Sequence, residues 1–169
     1  MIRKCAAEDV EVIFEIINDA ATVYKGVIPD DCWHEPYMPM EQLIWEMGDG
    51  VCFWGFEDEN GLVGVMGIQD KGEVTLIRHA YVRTDKRNRG IGTQLMRYLE
   101  TTTEKPILIG TWADAAWAVA FYQKNGYSLL PNDEKDRLLK KFWTISERQV
   151  ETSVVLANTR WINKNYGII

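Results

Sequence analysis

The chain has 169 residues, 46% of them hydrophobic, and a net charge of −6 from 19 basic and 25 acidic residues. This suits one folded domain with a full core and excludes a disordered chain. No apolar run approaches the roughly eighteen residues of a membrane span, the early acids of MIRKCAAEDVEVIF do not fit a secretory signal, and the acidic balance argues against nucleic-acid binding.

The three cysteines, at 5, 32 and 52, are odd in number and widely spaced. They fit neither a disulfide framework nor a zinc site, so a reducing cytoplasm is the expected setting and no metal is expected. Residues 2–5 read as a short edge strand. Glu8 to Tyr24 places apolar residues at helical spacing, and Gly26 and Pro29 end that helix. GVIPDDCWHEPYMPM reads as a loop with short helical turns, followed by a helix near Met40 to Met47. VCFWGF, at 51–56, is a strand, and Asp58-Glu59-Asn60-Gly61 is a hairpin turn into a partner strand, Leu62 to Ile68. Lys71-Gly72 turns into a strand over 73–82. A basic stretch, Arg83 to Arg89, then meets Gly90-Ile91-Gly92, which opens a helix with Ile91, Leu95, Tyr98 and Leu99 on one face.

After that helix, Pro106 begins a strand from Ile107 to Gly110. A helix over about Asp114 to Asn125 closes at Gly126. Tyr127 to Leu130 is a strand, Asp133 to Phe142 a charged helical segment, and Glu151 to Leu156 the last strand. The tail from Asn158 carries no usable pattern. Short turns make the three middle strands antiparallel, and the strand–helix–strand unit after them is expected to be parallel and right-handed. No repeat or linker divides the chain, so residues 1–169 are taken as one domain.

Two stretches carry chemistry. The first is the strand, glycine-rich turn and helix start around Arg87-Asn88-Arg89-Gly90-Ile91-Gly92. Unpaired amides and the positive end of the dipole make a helix N-terminus an anion site, and glycines let backbone approach the anion. Lys86, Arg87 and Arg89 add positive charge. A dinucleotide-binding turn needs a third glycine or alanine where Leu95 stands. A phosphate-binding P-loop needs a lysine where Thr93 follows Gly92. The second stretch is Phe121-Tyr122-Gln123-Lys124-Asn125-Gly126-Tyr127. There Trp117 and Phe121 share a helix face expected to be core, and Ala115, Ala118 and Tyr122 lie on a neighbouring face.

The first stretch resembles the Arg/Gln-x-x-Gly-x-Gly/Ala signature of the GCN5-related N-acetyltransferase (GNAT) superfamily, and the second its Phe-Tyr-x-Lys-x-Gly-Phe/Tyr signature. Asn88 and Thr84 depart from its most frequent form, where glycine and proline are common. Element order matches over about residues 1–157. The resemblance implies a mixed α/β (α+β) fold, with a mostly antiparallel sheet of about seven strands and helices on both faces. It implies acetyl-coenzyme A (acetyl-CoA) as donor, held by Ala80, Tyr81, Val82, Arg87, Asn88, Arg89, Gly90, Ile91, Gly92, Thr93, Ala118 and Tyr122. The strand over His79 to Arg83 is expected to splay from its neighbour and free backbone groups for the donor.

The resemblance further implies direct attack of an amine on the thioester, with Tyr122 protonating the departing thiolate. A phenol pKa near ~10 is close to that of an alkyl thiol. An alkylamine with a pKa of about 10.4 must first lose a proton. His79 is the candidate base, with Glu73 and a water path as alternatives. Thr75 stands near where some members carry a catalytic glutamate. Trp33, His34, Glu35 and Tyr37, in the loop that lines the acceptor pocket in relatives, are expected to meet a cationic amine. The segment 133–149 is expected to cover the pocket or to mediate a homodimer. The reading is therefore an N-acetyltransferase for a small amine or amino-acid-like metabolite. A protein or peptide N-acetyltransferase and a non-enzymatic acyl-CoA-binding module are the alternatives.

Overall fold

The computed structural model describes residues 1–167; the last two residues of the tail, 168 and 169, lie outside the described residues. In chain order the elements are β1 (Ile2–Lys4), α1 (Val10–Ala20), α2 (Met40–Gly48), β2 (Cys52–Asp58), β3 (Gly61–Asp70), β4 (Thr75–Val82) and α3 (Ile91–Glu100). They continue with β5 (Ile107–Trp112), α4 (Ala116–Lys124), β6 (Ser128–Leu129), α5 (Asn132–Phe142), α6 (Glu147–Glu151), β7 (Ser153–Ala157) and α7 (Thr159–Tyr166). The expected seven strands form one sheet in the order β1-β2-β3-β4-β5-β7-β6. The middle strands are antiparallel, and β4 and β5 are parallel.

Helices cover both faces. Ile91, Leu95 and Leu99 of α3 and Tyr122 of α4 pack on Ile77, Ile107 and Ile109. On the other face, α1 and α2 place Ile13, Ile16, Ile17 and Leu43 against Phe53 and Val65. Leu138, Leu139 and Phe142 of α5 cover Leu76, Leu108 and Val155. The period-2 alternation of Leu76 and Ile77 explains why neighbouring residues serve opposite faces.

Two departures from a regular sheet shape its centre. First, β4 pairs with β5 only over Thr75–Ile77 and Ile107–Ile109. Beyond that, β4 stays with β3 up to Val82, and β5 follows β7 up to Trp112. The two parallel strands part, as expected, leaving a wedge between residues 78–82 and 110–112. Second, β4 carries a bulge. Arg78 faces Gly67 and Tyr81 faces Val65, so one partner residue, Met66, faces both His79 and Ala80. His79 takes the extra place with φ of 53°. The inserted residue shifts the phase of the strand. Ile77, then Ala80 and Val82, pack on the α3/α4 side, whereas Tyr81 turns toward α1.

The tail differs from the sequence reading. Asn158 caps α7 by accepting from the Trp161 amide at 3.3 Å, and it also accepts from the Ile107 amide at 3.0 Å. Trp161 is buried beside Leu138 and Leu139. Trp161 and the half-buried Ile162, adjacent in an otherwise polar or exposed helix, leave too thin an apolar stripe to read as a helix from sequence. The α6 turn, which is only five residues long, was equally hidden.

Gly64 of β3 lets α3 approach the sheet. A Cβ there would stand 2.9 Å from Cγ2 of Ile91 and 3.4 Å from Cγ2 of Val82. Gly64→Val is therefore expected to push the start of α3 outward, costing about 1–3 kcal/mol for overpacking and lowering Tm by roughly 2–10 °C. Thermal melts of the two proteins check this, and an unchanged Tm would show that α3 has room to spare.

Candidate active site

The glycine-rich turn begins where β4 leaves the sheet. Asn88 and Gly90 both have positive φ, 62° and 76°. This left-handed pair turns successive amides inward, as an anion nest requires. Gly90 is the N-cap of α3 and no side chain caps the helix. The amides of 88–93 make no hydrogen bond among the described residues, and the first intrahelical bond runs from the Gln94 amide to the Gly90 carbonyl at 3.0 Å. The glycine at 90 answers to conformation. Gly92 has a different reason, because a Cβ there would stand 3.2 Å from Cζ of Phe121. A bulky residue at 92 would thus disturb the α3–α4 contact, not only exclude an anion.

A cavity of about 580 Å³ runs from this turn to the wedge between β4 and β5. Of the residues expected to hold the donor, Ala80, Tyr81, Val82, Arg87, Asn88, Gly90, Ile91, Gly92, Thr93, Ala118 and Tyr122 line it, and Arg89 does not. The basic cluster is partly committed elsewhere. Arg87 donates to the Ala20 carbonyl at 3.0 Å, and Lys86 pairs with Asp58 at 3.1 Å. Trp117 corrects the sequence reading. It is 45% exposed rather than core, stacks on Tyr24 at 6.0 Å and lines the cavity.

A second cavity, about 100 Å³, opens on the other side of the wedge. Tyr24, Ala80, Tyr81 and Tyr122 line both cavities, so the two meet there. Tyr122 is 7% exposed, and burial pushes its phenol up to about 12. Its hydroxyl makes no hydrogen bond among the described residues. No buried side-chain oxygen or nitrogen there lacks a partner, so the hydroxyl opens onto the cavities. It carries its proton at neutral pH and has no other acceptor to spend it on.

His79, Arg78, Thr111, Trp112, Trp143 and Gln149 also face the second cavity. Trp143 lies against Gly110, where a Cβ would come within 3.3 Å of Cζ2 of the indole. Trp112 donates from Nε1 to the Tyr37 hydroxyl at 2.7 Å and so fixes the phenol as part of the wall. Of the four residues expected at the acceptor, only Tyr37 reaches this wall. Trp33 stacks on Tyr37 at 6.0 Å from behind, His34 is exposed with Nδ1 2.8 Å from the Pro36 carbonyl, and Glu35 pairs with Lys25 at 3.3 Å on the surface. The alternative base Glu73, and Thr75 at the place where some relatives carry a glutamate, also lie off the cavities. Glu73 is exposed and pairs with Lys141 at 3.1 Å, and Thr75 shares a hydrogen bond of 2.9 Å with Thr103.

Beneath the second cavity lies a group that sequence reading missed. Glu46 of α2 is 2% exposed. One of its oxygens is 2.8 Å from Nε2 of His79 and 2.9 Å from a guanidinium nitrogen of Arg78. Burial by itself would raise the Glu46 pKa. The hydrogen bond and field of His79 and the charge of Arg78 outweigh it and hold the carboxyl at about 2. Burial lowers the Arg78 pKa, against the pull of Glu46 and Asp49. No sequence signal links Glu46 to His79, which lie 33 residues apart. Only the bulge and the packing of α2 bring them together.

Among the described residues no group of three or more His, Cys, Asp and Glu is placed to hold a metal ion, and no helix is long and apolar enough to cross a membrane. The parted parallel strands, the amide nest after β4 and the tyrosine on α4 together frame one continuous site at the centre of the sheet. The family model described as an acetyltransferase (GNAT) domain matches residues 49–129. Solved structures agree over nearly the whole chain. A GNAT-family acetyltransferase of Staphylococcus aureus Mu50 superposes with a TM-score of 0.72 at 17% identity, covering 95% of this chain and 98% of its own. The PaiA N-acetyltransferase of Thermoplasma acidophilum, in complex with coenzyme A, gives 0.69 at 16% identity over 94% and 97%. A GNAT-family acetyltransferase of Elizabethkingia anophelis with acetyl-CoA bound gives 0.62 at 18% over 94% and 96%. No curated protein matches the sequence. The chain has the acetyltransferase fold of the GNAT superfamily.

The folded-state pKa of Glu46 lies below its ordinary value of 4.5. Its contribution to stability is therefore present above about pH 4.5 and lost as pH falls toward about 2. The drop corresponds to about 3 kcal/mol. Chemical denaturation of wild type and Glu46→Gln across pH should show a gap that closes by that order as pH falls from about 4.5 toward about 2. A gap independent of pH would mean that Glu46 is not ionised in the fold.

Proposed function

We propose that this chain transfers the acetyl group of acetyl-CoA to the nitrogen of a small amine or amino-acid-like metabolite. The observation that carries the reading is the meeting of two cavities at the unpartnered Tyr122 hydroxyl. The donor fits the first cavity on this chain's own features: an amide nest for a pyrophosphate, an apolar channel past Ala118, and the free edge of β4 for amide groups. The complexes of two similar folds with coenzyme A or acetyl-CoA support the same donor. Bound acetyl-CoA supplies an acetyl group activated as a thioester, to which an amine can add with loss of the thiolate.

The protein's residues then have separate tasks. The amides of 88–93 bind the phosphates, with the α3 dipole behind them. The free edge of β4 orients the donor at the wedge. The Tyr122 hydroxyl gives its proton to the leaving sulfur, and His79 takes the proton that the acceptor must lose. A phenol at about 12 is a weak acid beside a solvated thiol. A thiolate released into the same buried wedge has its own pKa raised by the same loss of water, which restores the balance.

Two observations favour a compact acceptor over a protein chain. Arg148 of α6 makes a bidentate pair with Asp31 of the early loop, at 2.8 and 3.1 Å. It ties together the segments that carry Gln149 and Tyr37, the two sides of the second cavity. Asp31 is thereby held below the usual carboxylate range and is committed to Arg148. Among the described residues, the wall of the second cavity also carries Arg78 and no carboxylate. That chemistry suits one amine on an aromatic or apolar body and disfavours a polycation.

The test is release of coenzyme A thiol with a panel of monoamines, amino acids, polyamines and peptides. A compact monoamine should be turned over best. Turnover restricted to peptides would overturn the acceptor class, and none with any amine would favour a binding module. In the same assay Tyr122→Phe should lower kcat roughly ten- to a thousandfold with little change in the KM for acetyl-CoA. The deleted oxygen has no partner, so Tm should hold. Full turnover in this variant would leave Tyr122 a packing residue.

A further inference from the structure

We infer that Glu46 is the positioning residue for His79. It fixes Nε2 as the protonated ring nitrogen and leaves Nδ1 as the atom that takes a proton from the acceptor. The inference rests on the acetyltransferase reading of the site, and it adds the group on which base catalysis depends.

Direction follows from the hydrogen bond. Glu46 is ionised across the working range, and an ionised carboxylate only accepts. The 2.8 Å contact therefore has Nε2–H donating to the Glu46 oxygen. In the neutral ring the other nitrogen must then be the bare one. Nδ1 makes no hydrogen bond among the described residues. Since no buried nitrogen there is without a partner, Nδ1 reaches solvent space, and His79 stands in the wall of the second cavity. A histidine in a regular strand would be free to choose either tautomer. Here the ring is held from three sides: by Glu46 of α2, by Phe53 of β2 stacked at 6.0 Å, and by the bulge that turns its backbone to positive φ.

The charges around the ring support the same assignment. Arg78, the next residue along β4, shares the Glu46 oxygen at 2.9 Å and is further tied to Gln69 at 3.2 Å. Asp49 acts on Arg78 from the end of α2. The phenols of Tyr24, Tyr37, Tyr81 and Tyr122 face the cavity and are neutral near pH 7. Glu46 and Arg78 balance each other while His79 is neutral. When R–NH3⁺ gives its proton to Nδ1, the products are neutral R–NH2 and an imidazolium on the same carboxylate. No charge is created and none is destroyed: it moves from the acceptor to a site with a buried anion 2.8 Å away. Loss of that proton to solvent resets the ring.

The first experiment needs no donor and no activity. Nitrogen-15 spectra of the imidazole rings of the free protein, with the His79 signals assigned by their absence in His79→Gln, report the tautomer directly. Only two histidines are present. The neutral form of the ring is expected to carry its proton on Nε2 with Nδ1 bare, and the opposite tautomer overturns the inference. The second experiment is turnover by Glu46→Gln, whose folding is checked by its melt. An amide can present either its oxygen or its NH2 to Nε2, so both the charge and the certainty of the tautomer are lost. The kcat should fall at least tenfold, with the calorimetric affinity for acetyl-CoA within about twofold of wild type. Unchanged kcat in the folded variant overturns it. If wild type turns over no amine, the enzyme reading fails, and the ring spectra still decide whether Glu46 sets the tautomer.

Discussion

Everything at the centre of this protein follows from three residue pairs of parallel sheet. β4 and β5 share hydrogen bonds only from Thr75 to Ile77, and then each keeps a different antiparallel partner. A sheet normally satisfies its backbone groups across every strand pair, and unpaired buried groups are costly. Here the edges of residues 78–82 and 110–112 face a gap that opens into two cavities. The parting is stable because β3 and β7 hold the outer edges, and because Trp143 stands against Gly110. It is also the reason why one ligand can arrive from the α3/α4 side and another from the opposite side.

The bulge at His79 is a second consequence of the same geometry. A strand with regular phase would send His79 toward α3, where Ile77 already points. The extra residue sends Ala80 and Val82 there instead, small enough to leave a channel, and gives His79 to α2. A non-glycine residue with positive φ costs of order 1 kcal/mol or more and persists only where its surroundings enforce it. The Glu46–Arg78–His79 group is such an enforcement. Burying these charges is expensive in itself, and replacing such groups by apolar residues is often neutral or better for stability. Their retention in the wall of a cavity is better explained by the orientation they impose than by the stability they add.

Sequence made the glycine-rich turn before α3 legible because its cause is local. Positive φ at Asn88 and Gly90, the uncapped start of α3 and its apolar face all arise within about ten residues. The same holds for Tyr122, two residues before the end of a short helix. The reading failed where the cause is tertiary. Trp117 looked like core from spacing alone, but its position in the first turn of α4 leaves it at the rim, against Tyr24. Arg87 lines the cavity as expected, but packing ties one of its guanidinium nitrogens to the end of α1, which its sequence neighbours do not show. Glu46 sits in a mostly apolar helix turn, Leu43 to Met47, and the partners that hold it belong to β4. His34 and Glu35 had the right chemistry in the right loop, and the chain path there turns both to solvent.

The acceptor side also shows how a weak contact can decide shape without deciding stability. Exposed ion pairs contribute little to folding, and the Asp31–Arg148 pair is exposed on both sides. Its geometry is nonetheless bidentate, the form in which guanidinium and carboxylate fix relative orientation. The two segments it joins are otherwise anchored separately, one by Tyr37 on Trp112 and the other by Lys135 of α5 reaching the Val150 carbonyl at 2.8 Å. Each anchor sets one wall, and the ion pair sets the distance between them. Within that fixed width the aromatic walls bound the space that both the Tyr122 hydroxyl and the His79 ring line; in the proposed transfer the first acts on the bond being broken and the second on the nitrogen being acetylated.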